Sequence, residues 1–511
     1  MNTSRTQYAA KNFMWATIGN LSTAVLTLIQ RTIFIYILGT TYLGVSGLFT
    51  NILGMLSLAE LGFGSAISFS LYKPLADKDT KKVWAIIDLY KIIYRVVATV
   101  VTIIGLLIVP FLRIIAKGAE KLDHLTFIYC IYLFNTVTSY LITYKSTVLN
   151  ADQRNYLITN INTVVKIITV IVQTFVLILF QSFILYLIVE SVIQLVSKFY
   201  LNYFTNKRYP YLREKNKEKL SKEDKDVIFN KVKALVVHKI GEVSIYQTDN
   251  IVTSIFINVN TVGLVSNFTL IINYVNKYVV SFFSASIAGL GNLNATESLD
   301  RKYTVFKKYD FLGFFFFSIS SIMLYFLLPP FVEIWLGKER LIDNITVLLL
   351  CANFYFVGQR IPVGNMKDSA GVYEPDAWMS IVEAIINIII SVVGAIYLGL
   401  IGIYIGTVVS GLVPTFGKPY VLYKYVLEKS SRTYYEEYIK RICIMAINIF
   451  LIKVILNYIS CNNAMLNLLW IGIVSFVVPL GAILFLYRRS NEMIFVKNTI
   501  INICKNIIRR F

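Results

Sequence analysis

The chain has 511 residues, of which 56% are apolar and 14% aromatic, with a mean hydropathy of +0.65 and a formal net charge of +20. Too little polar surface is available to cover a soluble globule of that size, so composition excludes one and leaves an integral membrane protein. The basic excess does not point to nucleic acid: it gathers at the ends of apolar spans, where it marks topology and attraction to anionic lipid.

Apolar stretches of about 20 residues run Phe13 to Ile37, Leu43 to Ser70, Ile86 to Leu112, Leu125 to Leu149, Leu157 to Phe180, Ser182 to Phe204 and Ala234 to Ile257. Seven more follow, at Val262 to Ala288, Tyr309 to Pro330, Ile342 to Gly364, Trp378 to Gly399, Gly402 to Val426, Ile439 to Ile459 and Met465 to Tyr487. The reading is all-α, a polytopic protein of about 14 transmembrane helices. Between the sixth and seventh spans lies Thr205 to Lys233, where ten Lys or Arg and five Asp or Glu fall within 29 residues. Its intermixed charges fit a short helix or a mobile loop.

Six crossings return the chain to the side it started from, so the seventh span begins in the orientation of the first, as a parallel duplication requires. A shift of 219 positions lays Tyr42 to Ala66 over Thr261 to Ala285 with seven identities in 25 pairs, Gly44/Gly263 and Phe49/Phe268 among them. The domain reading is a six-helix lobe over 1–204, a basic linker over 205–233, a second, pseudo-symmetric six-helix lobe over 234–426, and two additional helices with a basic interfacial tail over 427–511.

Outer loops carry only Arg113, Lys117, Lys121, Lys338 and Arg340, which places both termini and the central loop on the cytoplasmic side of the cell membrane. The five cysteines show no metal-ligand or disulfide spacing, no cofactor or metal is indicated, and the first span reads as an anchor and not a cleaved signal. There is no P-loop, no H-E-x-x-H and no nucleophile elbow, and all outer loops are short. The expectation is therefore a protein that moves something, not an enzyme.

Charged residues inside spans are costly and mark function or pairing. Arg31 lies about two turns from the outer end of the first span and either snorkels or finds a partner. Glu60 sits deep in the second span, Glu190 in the sixth and Glu383 in the eleventh; each is a candidate proton carrier or a partner for a nearby cation. Asp249 matches Arg31 in depth, and Asn250 stands opposite Arg31 under the repeat. Arg31 and Asp249 could therefore latch the outer side; alternatively, Asp249 bonds within its own lobe through Thr248 or Asn250. Arg360 lies in Gly358-Gln359-Arg360-Ile361-Pro362-Val363-Gly364, where Pro and Gly are expected to loosen the helix. Lys145 and Lys166 lie near inner ends and call for no special role.

Tyr42-Leu43-Gly44-Val45-Ser46-Gly47-Leu48-Phe49, Ala59-Glu60-Leu61-Gly62 and Leu71-Tyr72-Lys73-Pro74-Leu75 resemble the start of Wzx-type polysaccharide flippases of the MOP (MATE-like) exporter superfamily. Thr248-Asp249-Asn250-Ile251, Gly291-Asn292-Leu293, Ile334-Trp335-Leu336-Gly337 and Glu383-Ala384-Ile385-Ile386-Asn387 extend the resemblance over nearly the whole chain, nearest to the capsular and exopolysaccharide type of Gram-positive bacteria. Val265-Ser266-Asn267-Phe268 and Ile287-Ala288-Gly289-Leu290 depart from the family pattern. The resemblance implies alternating access and an undecaprenyl-pyrophosphate-linked oligosaccharide as cargo, with a cationic cavity to which Arg31, Lys239, Lys277 and Arg360 could contribute. It implies membrane lipid as a partner and a polymerase and glycosyltransferases as pathway partners. The alternatives are a MATE-like cation or drug antiporter, which needs unpaired cavity carboxylates, and a membrane-embedded polymerase, which needs a long outer loop. No nucleotide motif is present, so coupling is expected to an ion gradient or to downstream polymerisation.

Overall fold

The computed structural model describes residues 5–60, 63–120, 122–214, 219–459 and 461–498, with side chains omitted over 5–21, 58–59, 231 and 233–246. All regular elements among them are helices. The first six spans are α1 (Arg5–Leu38), a broken α2 (Thr40–Leu56 and Phe63–Ala76), α3 (Thr80–Ile108), α4 (Leu125–Thr143), α5 (Asn155–Phe180) and α6 (Phe183–Arg208). The next six are α7 (Lys222–Phe256), α8 (Val259–Ser284), α9 (Leu299–Leu336), α10 (Asn344–Ser369), α11 (Ala377–Leu398) and α12 (Leu400–Leu422). The last two are α13 (Arg432–Tyr458) and α14 (Ala464–Leu486), so each expected span has its helix. By length and composition alone, nine helices among the described residues are fit to cross a membrane. Long apolar side chains such as Ile171, Phe175 and Ile178 on α5 stand exposed, as lipid-facing positions should. The chain is an all-α, multi-pass membrane protein.

The duplication is visible in where helices start. Thr40 and Val259, Thr80 and Leu299, and Leu125 and Asn344 are three pairs of first residues, each 219 positions apart. Side-chain caps help set several starts: Asp79 accepts from the Lys82 amide at 3.0 Å before α3, and Asp343 accepts from the Thr346 amide at 2.7 Å before α10.

The central basic loop is shorter than the sequence suggested. α6 runs on to Arg208, with Lys207 and Arg208 favoured at the negative end of its dipole, and α7 already begins at Lys222. Ser221 caps α7 by accepting from the Asp224 amide at 3.1 Å, and Glu223 and Asp224 fill its first turn. What remains between the helices is a 3-10 turn at Pro210–Arg213 and a short connection.

Contacts group the chain into two compact units, Met1–Gly263 and Leu264–Phe511, so α7 packs with the first six helices. One reason lies at the starts of α2 and α8. A Cβ on Gly44 would stand 1.8 Å from the Val259 carbonyl oxygen, and one on Gly263 would stand 2.2 Å from that of Thr40. Gly44 and Gly263 are repeat equivalents, as are Thr40 and Val259, so this crossing is self-complementary in the way a two-fold contact is. Only glycine allows backbones to approach so closely. Around it Thr40 donates to Asn260, the Val259 amide to the Lys117 carbonyl at 2.8 Å, and Ser254 to the Ile115 carbonyl at 2.6 Å.

In the second unit α9 is the axis, with two thirds (67%) of its most apolar stretch buried. Phe283, Phe317 and Phe354 pack edge and face along it. The Gly-Pro stretch of α10 stays helical, contrary to the expected loosening. A Cβ on Gly358 would meet the Phe317 ring at 2.1 Å, and one on Gly313 would meet the Pro362 ring at 2.7 Å, so these residues serve close packing of α9 on α10. Two glycines of α12 also serve close packing, Gly402 lying against the backbone of Gly394 and Gly406 against Ser391.

Candidate functional site

In the first unit a cavity of about 470 Å³ is lined by α2, α4 and α6, with Glu60, Asn135, Glu190, Gln194 and Lys198 on its wall. Glu60 occupies the 3-10 turn Ser57–Glu60 that breaks α2. That break turns the carboxylate toward α3, where Tyr94 donates to it and Tyr90 donates to Tyr94. Both tyrosines are buried, so the carboxylate sits at the end of a chain of phenols.

Glu190 is served differently. Lys166 of α5 donates to the Gln30 side-chain oxygen at 2.7 Å, Gln30 donates to Gln173, and Gln173 donates to Glu190 at 3.2 Å. Gln194 adds a bond to the other carboxylate oxygen at 3.0 Å, and Gln30 also donates to the Tyr186 hydroxyl at 2.8 Å. An amide has an acceptor end and a donor end. An ammonium at one end and a carboxylate at the other therefore fix the direction of both amides, and neither Gln30 nor Gln173 can turn over without the pair turning together. Lys166, set aside in the sequence as a boundary charge, is the donor end of this relay. Lys198 donates to the Asn135 carbonyl at 2.8 Å and the Thr138 hydroxyl at 3.2 Å.

In the second unit Arg360 donates to Glu383 at 3.0 Å, with side chains 14% and 5% exposed. Two residues read separately from the sequence are thus one ion pair between α10 and α11. Lys418 of α12 lies close enough to interact electrostatically with both. Gly411 leaves room beside the carboxylate: a Cβ there would stand 3.9 Å from Glu383.

The other sequence candidates are not gathered into these clusters. Arg31, Asp249 and Asn250 are half-buried in α1 and α7, and the Asp249 carbonyl accepts from Thr253 at 2.7 Å. Lys277 is exposed on α8, and the side chain of Lys239 lies outside the described residues. No group of metal-ligating side chains occurs among the described residues.

Sequence reasoning passed over two buried ion pairs. Arg441 of α13 donates to Asp310 of α9 at 2.6 Å, and Asp310 also accepts from Gln359 at 2.9 Å. Lys367 donates to Asp376 at 3.0 Å where α10 leads to α11. Each of these charges lies near a span end, where an isolated charge looks ordinary, and Arg441 and Asp310 stand on helices far apart in the chain, so their pairing left no local signal.

No family model matches the chain, and no curated protein matches it in sequence. Solved structures do match in fold. A lipid II flippase, MurJ, in an inward closed conformation aligns with a TM-score of 0.66 at 17% identity, covering 93% of this chain and 99% of that one. An inward-facing multidrug resistance MATE family transporter of the MOP superfamily aligns with a TM-score of 0.59 at 16% identity, covering 78% and 97%. A mutant of the Vibrio cholerae MATE transporter VcmN aligns with a TM-score of 0.56 at 12% identity, covering 83% and 98%. This chain shares the fold of MOP superfamily transporters.

Proposed function

We propose that the protein is a flippase that carries a polyprenyl-pyrophosphate-linked oligosaccharide repeat unit from the inner to the outer leaflet by alternating access. The observation that carries this reading is the set of cations held inside apolar helices, namely Lys166, Lys198, Arg360 and Lys418. Such cations are costly in lipid, and a pyrophosphate headgroup gives them a use. The likeness in fold to a lipid II flippase supports the same reading. Arg360, already held by Glu383, binds phosphate by exchanging one carboxylate partner for another oxyanion. Arg31, Lys239 and Lys277 are the further phosphate ligands in this reading, and Arg31 with Asp249 forms the outer latch.

Glu60 and Glu190 on the wall of the first unit's cavity, together with Glu383, are the groups that would couple flipping to an ion gradient. They also carry the second reading, a cation antiporter, because two carboxylates on one cavity wall suit a cation. Proteoliposomes decide between them. Movement of a polyprenyl-pyrophosphate oligosaccharide to the outer leaflet, lost in Arg360→Ala, is the expected outcome; gradient-driven efflux of an organic cation without lipid movement would overturn the flippase. The topology is tested by a cysteine at Lys217, which should resist impermeant thiol reagents in intact cells.

A further inference from the structure

The second unit contains a cavity that neither repeat predicts. It measures about 390 Å³, within the range of about 300–1,000 Å³ usual for small-molecule sites, and opens where the first turns of α9 and α13 meet the end of α14. Its floor holds Asp310 and Arg441, 3% and 5% exposed. One arm of that guanidinium is committed to Asp310, while its Nε is buried without a hydrogen-bond partner. A carboxylate oxygen of Glu437 stands 3.8 Å away and already accepts from the Tyr487 hydroxyl. A buried N–H of a charged group without an acceptor is an expensive arrangement and points to a missing oxygen.

Two further cations on the wall are held loosely. Lys440 lies 3.7 Å from Glu437, and Lys307 lies 3.4 Å from Glu492. The wall as a whole is balanced, because Lys307, Lys440 and Arg441 face Asp310, Glu437 and Glu492. The carboxylates Glu437 and Glu492 are more buried than the two lysines that face them. An anion alone would therefore leave the occupied site with uncompensated negative charge, whereas a ligand carrying both signs would not. Tyr303, Tyr423 and Tyr434 add aromatic rings to the wall, and the Tyr303 ring already attracts the Lys307 and Lys429 ammoniums, at 5.9 and 4.9 Å. Beside the polar wall runs an exposed apolar strip, with Ile439, Phe485, Leu486 and Ile494 between 50% and 66% exposed.

We propose that this cavity binds the headgroup of a membrane phospholipid that bears both a phosphate and an ammonium group. The phosphate accepts from the Arg441 Nε and from Lys440, the ammonium sits between Glu492 and the tyrosine rings, and the acyl chains lie along the apolar strip. Basic pockets between helices at the membrane face take anionic headgroups; the balanced wall here suits a headgroup of both signs instead. The site lies within the second unit and does not depend on which cargo the protein moves.

The experiment uses the full chain, purified in detergent and supplied with equal amounts of synthetic phosphatidylethanolamine and phosphatidylglycerol, with retained lipid read by native mass spectrometry. Phosphatidylethanolamine should be retained in preference by about two- to fivefold, the effect of one charge contact. Glu492→Gln should abolish that preference by weakening the ammonium contact, and Lys440→Gln should reduce retention of both lipids. Both positions are partly exposed, so the variants should fold, and an unchanged melting temperature in lipid-free detergent checks this. Equal or stronger retention of phosphatidylglycerol by the unaltered protein, or a preference that survives Glu492→Gln, would overturn the proposal.

Discussion

The two units handle charge inside the membrane in opposite ways. The second unit pairs it directly: Arg360 with Glu383 at 3.0 Å, Arg441 with Asp310 at 2.6 Å, and Lys367 with Asp376 at 3.0 Å. The first unit keeps Lys166 and Glu190 apart and joins them through Gln30 and Gln173, while Glu60 is served by a phenol. A direct pair fixes two helices to each other, and losing either partner strands a charge. An amide relay holds its geometry while transmitting a preference for which end donates, because amides polarise one another along the chain. The second unit therefore has the construction of a scaffold, and the first that of a responsive element.

The largest break in this contrast should come at Arg441. Arg441→Met leaves Asp310 buried with Gln359 as its remaining partner, and should cost about 3–5 kcal/mol, as removal of one member of a buried pair does. The double variant Arg441→Met/Asp310→Leu should recover most of that loss, since an apolar replacement of the whole pair avoids the stranded charge. Thermal unfolding in detergent measures both, and a double variant no more stable than the single would show that the pair is not the cause.

The glycine crossing probes the opposite property, equivalence. Gly44→Ala and Gly263→Ala each push a methyl group into a backbone carbonyl, from the two sides of one self-complementary contact. Overpacking of this kind costs about 1–3 kcal/mol, and the symmetry requires the two losses to agree. Melting temperatures of the two variants that differ by more than the scatter between preparations would mean that the two sides of the crossing are not energetically equivalent.

A smaller effect is expected in the relay. A double-mutant cycle between Lys166→Met and Glu190→Gln should return a coupling of about 0.5–1 kcal/mol although two amides stand between them. The same cycle between Lys166 and Glu60, which belong to different chains of hydrogen bonds, should return a value near zero. Equal couplings in the two cycles would remove the relay from the account.

Much of the architecture was legible because it follows from one-dimensional signals. The fourteen apolar spans appear as fourteen helices, and the offset of 219 recurs in helix starts that share no sequence identity, such as Leu125 and Asn344. The site was legible only in parts. Arg360 and Glu383 were each singled out as charges in lipid, yet their pairing depends on how α10 and α11 are rotated, which packing around Gly358 and Pro362 decides. Gln30 and Gln173 carry no charge and so escape a search for charges, although burial makes their bonds as demanding. Lys166 was discounted from its place near a span end, where position alone cannot reveal the amide it meets.

The weakest contact in the contrast lies outside the membrane-spanning parts and sets its lower bound. Lys82 of α3 donates to Asp224 in the first turn of α7 at 2.8 Å, with side chains 42% and 35% exposed. The Lys82 ammonium, helped by Ser221, holds the Asp224 carboxyl below the usual carboxylate range against the opposing effect of burial. A carboxyl lowered in the folded state contributes stability above its unfolded pKa and loses it as pH falls through the folded value. At neutral pH the pair should be worth no more than about 0.5–1 kcal/mol, since solvent and salt screen it. Asp224→Asn should therefore lower the melting temperature slightly at pH 7, by an amount that disappears in about 1 M salt, where the screening length falls to about 3 Å. The same difference should vanish once the pH falls below the lowered folded-state value, where Asp224 is protonated in both states. A difference that persists at both low pH and high salt would assign the effect to a change in local packing that does not depend on charge, and not to the bond with α3.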